Sequence, residues 1–333
     1  MDKKVRKAII ITSIFPPTEA IYKFASYPDY QLIVVGDKKT PLDWYCENVT
    51  FLSIEEQEKM NLQIQPLLPY NHYGRKMLGY LLAIQKQVEY IVDTDDDNIP
   101  KPNWGFPKFE QSFNYITDNQ GFVNIYQYYT EQPIWARGLP LNLITKKFDF
   151  DKHLEKKLCN VGIWQGLADE DPDVDAIYRL TNNTPCYFKQ KEPVVLGKNT
   201  ISPFNSQNTL IRKELFPLLY LPTYVTFRFT DILRGLIAQP IMWLYGYHLG
   251  FTNATVIQKR NPHDYMKDFI SEIPMYQYAE EVVEITIKSI HSTQNIYDNL
   301  HNAYVALLNA NIVSKQEITT LEAWIQDLQN LNK

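Results

Sequence analysis

Residues 89–98 read EYIVDTDDDN, so a short apolar run leads directly into a cluster of aspartates. An apolar run of this length predicts a buried strand. Carboxylates placed so close together repel one another, which costs stability unless a cation lies among them. Mg²⁺ and Mn²⁺ take oxygen ligands, and Mg²⁺ often combines one or two carboxylates with substrate phosphates. The sequence therefore predicts a strand that ends at a divalent-metal site, with a solvated acidic loop as the alternative.

The geometry of an extended chain predicts different roles for these aspartates. Alternate residues of such a segment face the same way. Asp93, Asp95 and Asp97 are therefore expected to share one face, while Asp96 points elsewhere. Asp95 and Asp97 are the predicted metal ligands, and Asp93 is expected to face the nucleotide or to be structural.

Upstream segments place this strand in a larger sheet. Residues 8–14 and 30–37 read as buried strands, and residues 71–87 have apolar side chains at helical spacing. Strands that alternate with helices predict parallel pairing and an α/β sheet. Ligands of such sheets lie beyond the carboxyl ends of the strands. The polar strand ends expected to meet there are Thr12-Ser13, Asp37-Lys38-Lys39 and residues 93–98.

The pattern is less regular after residue 100. Residues 164–180 contain an acidic, proline-containing segment, and residues 201–260 predict further strands and an acceptor-binding face. From about residue 276 the chain reads as helical. Its end carries one apolar stripe, which predicts a helix docked on the body, with a dimer contact as the alternative. The stripe consists of Ile318, Leu321, Trp324, Ile325, Leu328 and Leu331.

Composition excludes some classes of protein. The net charge of the 333 residues is −5, and no basic stripe is visible, which argues against a nucleic-acid partner. Cys46, Cys159 and Cys186 are odd in number and far apart, as in a reduced protein. No apolar run reaches about 18 residues, so no transmembrane segment is predicted. We expect a cytoplasmic chain, and peripheral contact with the inner membrane face and a homodimer stay open.

A second acidic candidate lies in residues 227–234, which read FRFTDILR. An aspartate among apolar residues is costly unless it is paired or functional. Arg228 and Arg234 are helical neighbours of Asp231 at i−3 and i+3, so a structural ion pair is one interpretation. In the other interpretation, Asp231 accepts the proton of an attacking acceptor hydroxyl, and Arg234 favours its ionised form or neutralises phosphate.

Three further sets of polar residues are candidates for the site. The imidazole of His263 is a competent Mn²⁺ ligand, although a lone histidine is more often structural. Arg75 and Lys76 open a helix, where phosphate groups bind readily, unless they form a solvated first turn. Asp37 and Lys38 lie at a strand end and either contact the base and ribose of a nucleotide or form an ordinary turn.

Several segments occur in an order typical of one family. They are residues 9–18 (IIITSIFPPT), 35–41 (VGDKKTP), 51–53 (FLS), 68–71 (LPYN), Arg75-Lys76 with Gly79-Tyr80, and 93–98 (DTDDDN). Together they resemble the STELLO-type glycosyltransferase family. Residues 171–180 (DPDVDAIYRL) resemble both that family and the reversibly glycosylated polypeptides, which include UDP-arabinopyranose mutases. The resemblance runs from about residue 8 to 265, and the last sixty-odd residues are expected to fall outside it.

The resemblance implies a GT-A fold. This is a Rossmann-like, mixed but mostly parallel sheet flanked by helices, which binds a nucleotide-sugar through Mn²⁺ or Mg²⁺ at a DxD motif. A histidine near the end of such domains often completes the metal site, which supports His263. An acidic residue that opens a helix beneath the acceptor often acts as the base in inverting members, which supports Asp231. We expect a GT-A domain over residues 1–270, divided near residue 100 into nucleotide-binding and acceptor halves, and a C-terminal helical extension over 271–333.

The predicted function is transfer of a sugar, with inversion, from a nucleotide diphosphate donor to a glycan or lipid-linked glycan acceptor in surface polysaccharide synthesis. Asp231 is the predicted base. The expected metal ligands are Asp95, Asp97 and His263. The expected nucleotide-sugar contacts are Thr12, Asp37, Lys38, Arg75, Lys76, Asp93, Asp95, Asp96 and Arg234.

Three other functions stay open. A sugar-nucleotide mutase of the arabinopyranose type would need an arginine that receives the glycosyl group transiently, and the sequence alone places none. A nucleotidyltransferase would usually have a glycine-rich loop after the first strand, where this chain has Phe15-Pro16-Pro17. The third alternative is a non-catalytic scaffold related to glycan synthesis.

Overall fold

The computed structural model describes residues 6–261 and 263–331, in which strands and helices alternate before a helical C-terminal part. The strands are β1 (Lys7–Thr12), β2 (Tyr30–Val35), β3 (Val49–Leu52), β4 (Tyr90–Thr94), β5 (Asn98–Pro100), β6 (Glu110–Ile116), β7 (Gly121–Phe122), β8 (Leu154–Glu170), β9 (Val194–Leu196), β10 (Thr200–Ile201), β11 (Asn208–Arg212) and β12 (His248–Gln258). The α-helices are α1 (Glu19–Ala25), α2 (Ile54–Lys59), α3 (Lys76–Gln85), α4 (Tyr126–Tyr129), α5 (Phe150–His153), α6 (Ala176–Thr181), α7 (Thr230–Leu244), α8 (Tyr265–Ser289), α9 (Ile296–Asn309) and α10 (Lys315–Leu331). Short 3₁₀ turns cover Gln65–Leu67, Tyr73–Arg75, Leu141–Leu143, Lys213–Leu219 and Phe227–Phe229.

Within the described residues, ten strands form one mixed sheet. Their order is β3-β2-β1-β4-β11-β8-β6-β9-β12-β5, and β8 also pairs with β12. The first four strands of the order are parallel. β11 runs antiparallel to both β4 and β8, whereas β8 and β12 are parallel. This mixed sheet, flanked by helices, confirms the predicted α/β class.

Both faces of the N-terminal part of the sheet are buried. On β1, Ile10 belongs to the same apolar cluster as Met77 of α3, whereas Ile9 and Ile11 belong to the cluster of Phe24 on α1. A strand covered on both faces needs apolar residues at successive positions rather than at alternate ones. This explains why β1 is a continuous apolar run.

Individual residues determine where α2 begins and how closely α3 packs on the sheet. The Ser53 hydroxyl accepts from the backbone N–H of Glu56, and the Glu56 carboxylate accepts from that of Ser53, so a capping box forms at the start of α2. Gly79 lets α3 lie directly on the sheet. A Cβ at this position would be 2.7 Å from side-chain carbons of both Ile10 and Val35.

The C-terminal helices pack onto the body of the protein. Leu321 and Trp324 of α10 are completely buried, and the Trp324 indole donates a hydrogen bond of 3.0 Å to the carbonyl of Pro217. The predicted docking of the last helix is therefore confirmed. α8 runs without interruption across residue 270. Over the residues that the structure describes, no helix combines the length and the apolarity needed to cross a bilayer.

Candidate functional site

A cavity of about 230 Å³ lies beyond the carboxyl ends of β1 and β4. It brings together residues that are far apart in the sequence, including Thr12, the aspartate run, Asp231 and His263. A second cavity of about 210 Å³ adjoins it, and Asp37 and Arg75 line its wall. The two cavities share Thr12, Tyr73, Asp96 and Phe227.

The aspartate run forms a tight turn rather than an extended segment. β4 ends at Thr94, and the backbone N–H of Asn98 donates a hydrogen bond of 3.3 Å to the carbonyl of Asp95. As a result Asp95, Asp96 and Asp97 all line the first cavity. We refer to these three residues as the Asp turn. The prediction that Asp96 points elsewhere is wrong, because the alternation of a strand does not continue through a turn.

Burial raises the pKa of each carboxyl group in the Asp turn to about 6. Asp95 accepts a hydrogen bond of 3.0 Å from the Lys76 ammonium, and Asp96 accepts one from the Ser13 hydroxyl. Asp97 Oδ2 accepts from the Gln258 amide at 3.2 Å. Its Oδ1 is buried and has no hydrogen-bond partner among the described residues. The turn therefore holds partly desolvated carboxylate oxygens at the cavity wall.

A buried ion cluster lies next to the Asp turn. Asp93 is completely buried and contacts Lys76 at 2.6 Å and Arg234 at 2.8 Å. Lys76 also donates to the carbonyl of Thr94. None of the three charged groups is among the side chains that line either of the two cavities. Direct contact of Asp93, Lys76 or Arg234 with a nucleotide-sugar stays a prediction, and their contacts in the fold are with one another.

Asp37 and Arg75 line the second cavity, as expected for residues near a nucleotide. The Arg75 guanidinium is nevertheless already engaged, because its Nε donates to the Gln57 side chain at 2.8 Å and its Nη1 to a backbone carbonyl at 3.1 Å. The Lys38 ammonium lies 3.8 Å from the centre of the Tyr70 ring, a cation–π contact. Asp37 and Arg75 form part of the wall of the second cavity, whereas Lys38 is not among the residues that line it.

Asp231 occupies the first turn of α7 and faces the first cavity. Nη2 of Arg137 lies 3.0 Å from both of its carboxylate oxygens. The backbone N–H of Ser206 donates to Oδ2 at 3.3 Å. Pairing with Arg228 or Arg234, suggested by helical spacing, is wrong. Arg228 instead forms an ion pair with a buried glutamate of α8, and Arg234 forms one with the buried aspartate of β4.

The sequence did not single out three other charged residues of the first cavity, Arg137, Asp173 and Arg260, and it considered Arg228 only as a partner of Asp231. Burial alone would raise the pKa of Asp173, but the charges of Arg137 and Arg228 lower it to about 2. Asp173 lies within residues 171–180, one of the segments that carry the family resemblance. That resemblance could have identified it as a site residue. Arg137 lies in a loop with no local pattern, and only the tertiary fold brings it to the site.

His263 also lines the first cavity. Its Nδ1 lies 3.0 Å from a carboxylate oxygen of Asp268, an arrangement that orients many metal-binding histidines and leaves Nε2 free. The preceding Pro262 is outside the described residues. Among residues 6–261 and 263–331, no three histidine, cysteine or carboxylate side chains converge closely enough to hold a metal ion by themselves.

Comparison with known proteins gives an independent view of the chain. A family model described as STELLO glycosyltransferases matches residues 228–333. Two Arabidopsis thaliana proteins, "Probable glycosyltransferase STELLO1" and "Probable glycosyltransferase STELLO2", are 24% and 25% identical to this chain over 98% of its length. The chain spans less than half of these curated relatives, 44% and 45% respectively.

The match over residues 228–333 includes α7 with Asp231 and all of the C-terminal helices. The expectation that the last sixty-odd residues fall outside the resemblance is therefore wrong. These helices have few sequence features of their own, because an amphipathic helix is specified mainly by the spacing of its apolar residues.

Proposed function

We propose that this chain, which is similar in sequence to two probable STELLO glycosyltransferases, is a metal-dependent glycosyltransferase. The donor is a sugar nucleotide with a diphosphate, and the acceptor is a glycan or lipid-linked glycan, as in surface polysaccharide synthesis. One observation carries the proposal, namely that the Asp turn and Asp231 line the same cavity. A group that holds phosphate and a group that accepts a proton are thus within reach of one substrate.

The residues present fit a divalent cation. The Asp turn presents partly desolvated carboxylates, and the buried Oδ1 of Asp97 has no partner among the described residues. Asp95 and Asp97 would hold the ion, and phosphate oxygens of the donor would complete its shell, as is usual for Mg²⁺. His263 as a third ligand stays a prediction, because no three such side chains converge among the described residues. When bound, Mn²⁺ or Mg²⁺ would neutralise the charge that develops on the diphosphate.

The two cavities suit the two ends of a sugar nucleotide. In this proposal the nucleoside binds in the second cavity, which Asp37 lines, and the sugar binds in the first, which Asp231 lines. Tyr73 and Phe227 line both cavities, and the Phe227 ring is 56% exposed. An exposed ring at this position offers a flat apolar surface for the C–H face of a sugar.

In the proposed reaction, Asp231 accepts the proton of the acceptor hydroxyl as its oxygen attacks the anomeric carbon. A single displacement of this kind inverts the configuration at that carbon. Arg137 contacts both carboxylate oxygens of Asp231 and fixes their orientation, so that the base is preorganised for the attack. The same contact makes Arg137 a positioning residue.

A thermal-shift titration with nucleotide diphosphates and Mn²⁺ tests the binding part of the proposal. We expect at least one nucleotide diphosphate to raise the melting temperature in the presence of Mn²⁺, and we expect the increase to disappear in Asp95→Ala and Asp97→Ala. A metal-dependent increase that survives both substitutions would remove the Asp turn from the metal site. Absence of any increase would favour the non-catalytic scaffold.

A sugar-nucleotide mutase is the second candidate, and one observation favours it. Arg137, Arg228 and Arg260 all line the first cavity, and a mutase of the arabinopyranose type needs an arginine that receives the glycosyl group. Interconversion of a UDP-pentose without any acceptor would identify this activity, whereas a requirement for an acceptor would identify transfer.

A further inference from the structure

The cations that the sequence assigns to the donor phosphates are engaged elsewhere in the fold. Lys76 is completely buried and contacts Asp93 and Asp95. Arg234 is buried against Asp93, and the Arg75 guanidinium is hydrogen-bonded on two of its sides. A departing diphosphate is stabilised by donors aimed at the place where its charge develops. A cation of the first cavity that forms no ion pair in the fold is therefore a better candidate for binding the phosphates than these three residues.

The end of β12 brings Arg260 to the Asp turn. The Gln258 amide donates to Asp97 Oδ2 at 3.2 Å, and the backbone N–H of Lys259 donates to the Asp97 carbonyl at 3.1 Å. These bonds hold the backbone just before Arg260, and the Arg260 side chain lines the first cavity. Asp97 and Arg260 therefore both line the first cavity, where the end of β12 meets the Asp turn.

Arg260 differs from the other arginines of the first cavity because no described residue forms a hydrogen bond or an ion pair with its side chain. Arg137 is paired with Asp173 at 2.7 Å, and Arg228 with Glu272 at 2.9 Å. The Arg260 side chain has no hydrogen bond or ion pair with any residue that the structure describes, and its Nε is buried without an acceptor. Buried polar groups are nearly always hydrogen-bonded. A ligand in the cavity is the natural acceptor for this guanidinium.

We propose that Arg260 binds the β-phosphate of the donor and thereby selects nucleoside diphosphates over monophosphates, an inference that rests on the proposed function. A guanidinium offers two parallel N–H donors to phosphate oxygens. During transfer the bond between the anomeric carbon and the β-phosphate oxygen breaks, and its electron pair stays on the diphosphate beside Arg260. The anomeric carbon bonds to the acceptor oxygen, whose proton passes to Asp231.

Calorimetric titration in MnCl₂ tests this assignment without measuring transfer. The probes are UDP, GDP, CDP and ADP with their monophosphates, and the proteins are wild type, Arg260→Gln, Arg260→Lys and Lys259→Gln. The neighbouring Lys259 is exposed and outside the first cavity, so it serves as the matched control. Arg260 is only half-buried, and the melting temperature of each unliganded variant will show whether it folds like wild type.

For the diphosphate that wild type binds, we expect Arg260→Gln to weaken binding by about tenfold or more, as for loss of a charged hydrogen bond. Arg260→Lys should lie in between, because it keeps the charge and loses the two parallel donors. Lys259→Gln should match wild type, and monophosphate affinity should be unchanged in every variant.

Each contrary result has a distinct meaning. Equal diphosphate affinity in Arg260→Gln and wild type overturns the assignment and leaves the proposed function in place. Equal losses for monophosphate and diphosphate also overturn it, because they would place the guanidinium away from the β-phosphate. Wild-type protein that binds no nucleotide diphosphate in MnCl₂ overturns the proposed function, and the inference with it.

Discussion

The burial of a single residue of the site, Asp97, lowers the stability of the folded protein when its carboxyl group is ionised. Burial raises its pKa from 3.8 to about 6, so the folded protein binds this proton more tightly than the unfolded chain does. The stabilisation that the proton provides is complete below about pH 4 and is lost as the pH rises through 6. In metal-free protein at neutral pH, the buried ionised carboxylate therefore lowers the free energy of unfolding.

We predict that Asp97→Asn stabilises the metal-free protein at pH 8 by about 1–2 kcal/mol, because an amide carries no charge to desolvate. The advantage should shrink as the pH is lowered from 8 to 5, where the wild-type carboxyl group becomes protonated. Urea unfolding in EDTA at several pH values measures the difference. Asp43→Asn, which changes an exposed aspartate, should show no such trend. A destabilised Asp97→Asn at pH 8 would contradict the explanation.

Asp231 is the residue on which the proposed chemistry depends most directly. We predict that Asp231→Asn lowers kcat by roughly 10²–10⁴, the usual contribution of a positioned general base. The amide keeps the size of the side chain, so donor binding at the Asp turn should be unchanged. Steady-state kinetics with the identified donor and acceptor, together with nucleotide diphosphate affinity, separate the two effects. Near-normal kcat would transfer the role of base to another group.

At the scale of elements, α10 stabilises the segment beneath the cavity wall through one buried carboxylate. Glu317 is completely buried and accepts hydrogen bonds from the backbone N–H groups of Thr223 at 3.0 Å and Tyr224 at 2.7 Å, and from the hydroxyl of Tyr220. Thr223 in turn packs against Gly74 in the 3₁₀ turn that leads into α3. The C-terminal helix thus fixes the segment that leads to the cavity wall.

We predict that Glu317→Ala destabilises the protein by about 2–4 kcal/mol, because it leaves buried donors without an acceptor. The change in the midpoint of urea unfolding measures the loss. Glu322→Ala on the same helix is the control, since that side chain is largely exposed beside His301 and surface pairs contribute little. Equal effects of the two substitutions would show that the buried carboxylate is not what anchors α10.

The elements that sequence patterns predicted are those specified by neighbouring residues. β1, β2 and β4 follow from short apolar runs, and α3 follows from apolar residues at helical spacing. The long strand β8 was not predicted, because its first part is mostly exposed and charged and its pairing partners are distant in sequence. The contact between Asp231 and Arg137 spans 94 positions, and no local pattern specifies such a contact.

At the scale of the whole molecule, the sequence suggested a boundary near residue 270, and the core now provides a way to test it. One apolar cluster contains Ile10 of β1, Met77 of α3 and Leu236 of α7 together with Tyr304 of α9 and Trp324 of α10. Elements that share a core normally unfold together. We therefore expect the two parts of the chain to behave as one cooperative unit.

We predict a single calorimetric transition for the full chain and no folded state for residues 1–270 expressed alone, since truncation cuts α8 at its sixth residue and exposes the apolar surface beneath α9 and α10. Trp324→Ala in the full chain should cost about 3–5 kcal/mol, as for other large buried side chains. Two separate transitions, or a fragment 1–270 with native near-ultraviolet circular dichroism, would show that the helical part is an independent extension. In that case the family match over residues 228–333 would cover the end of the sheet-containing part, with Asp231, together with an appended helical module.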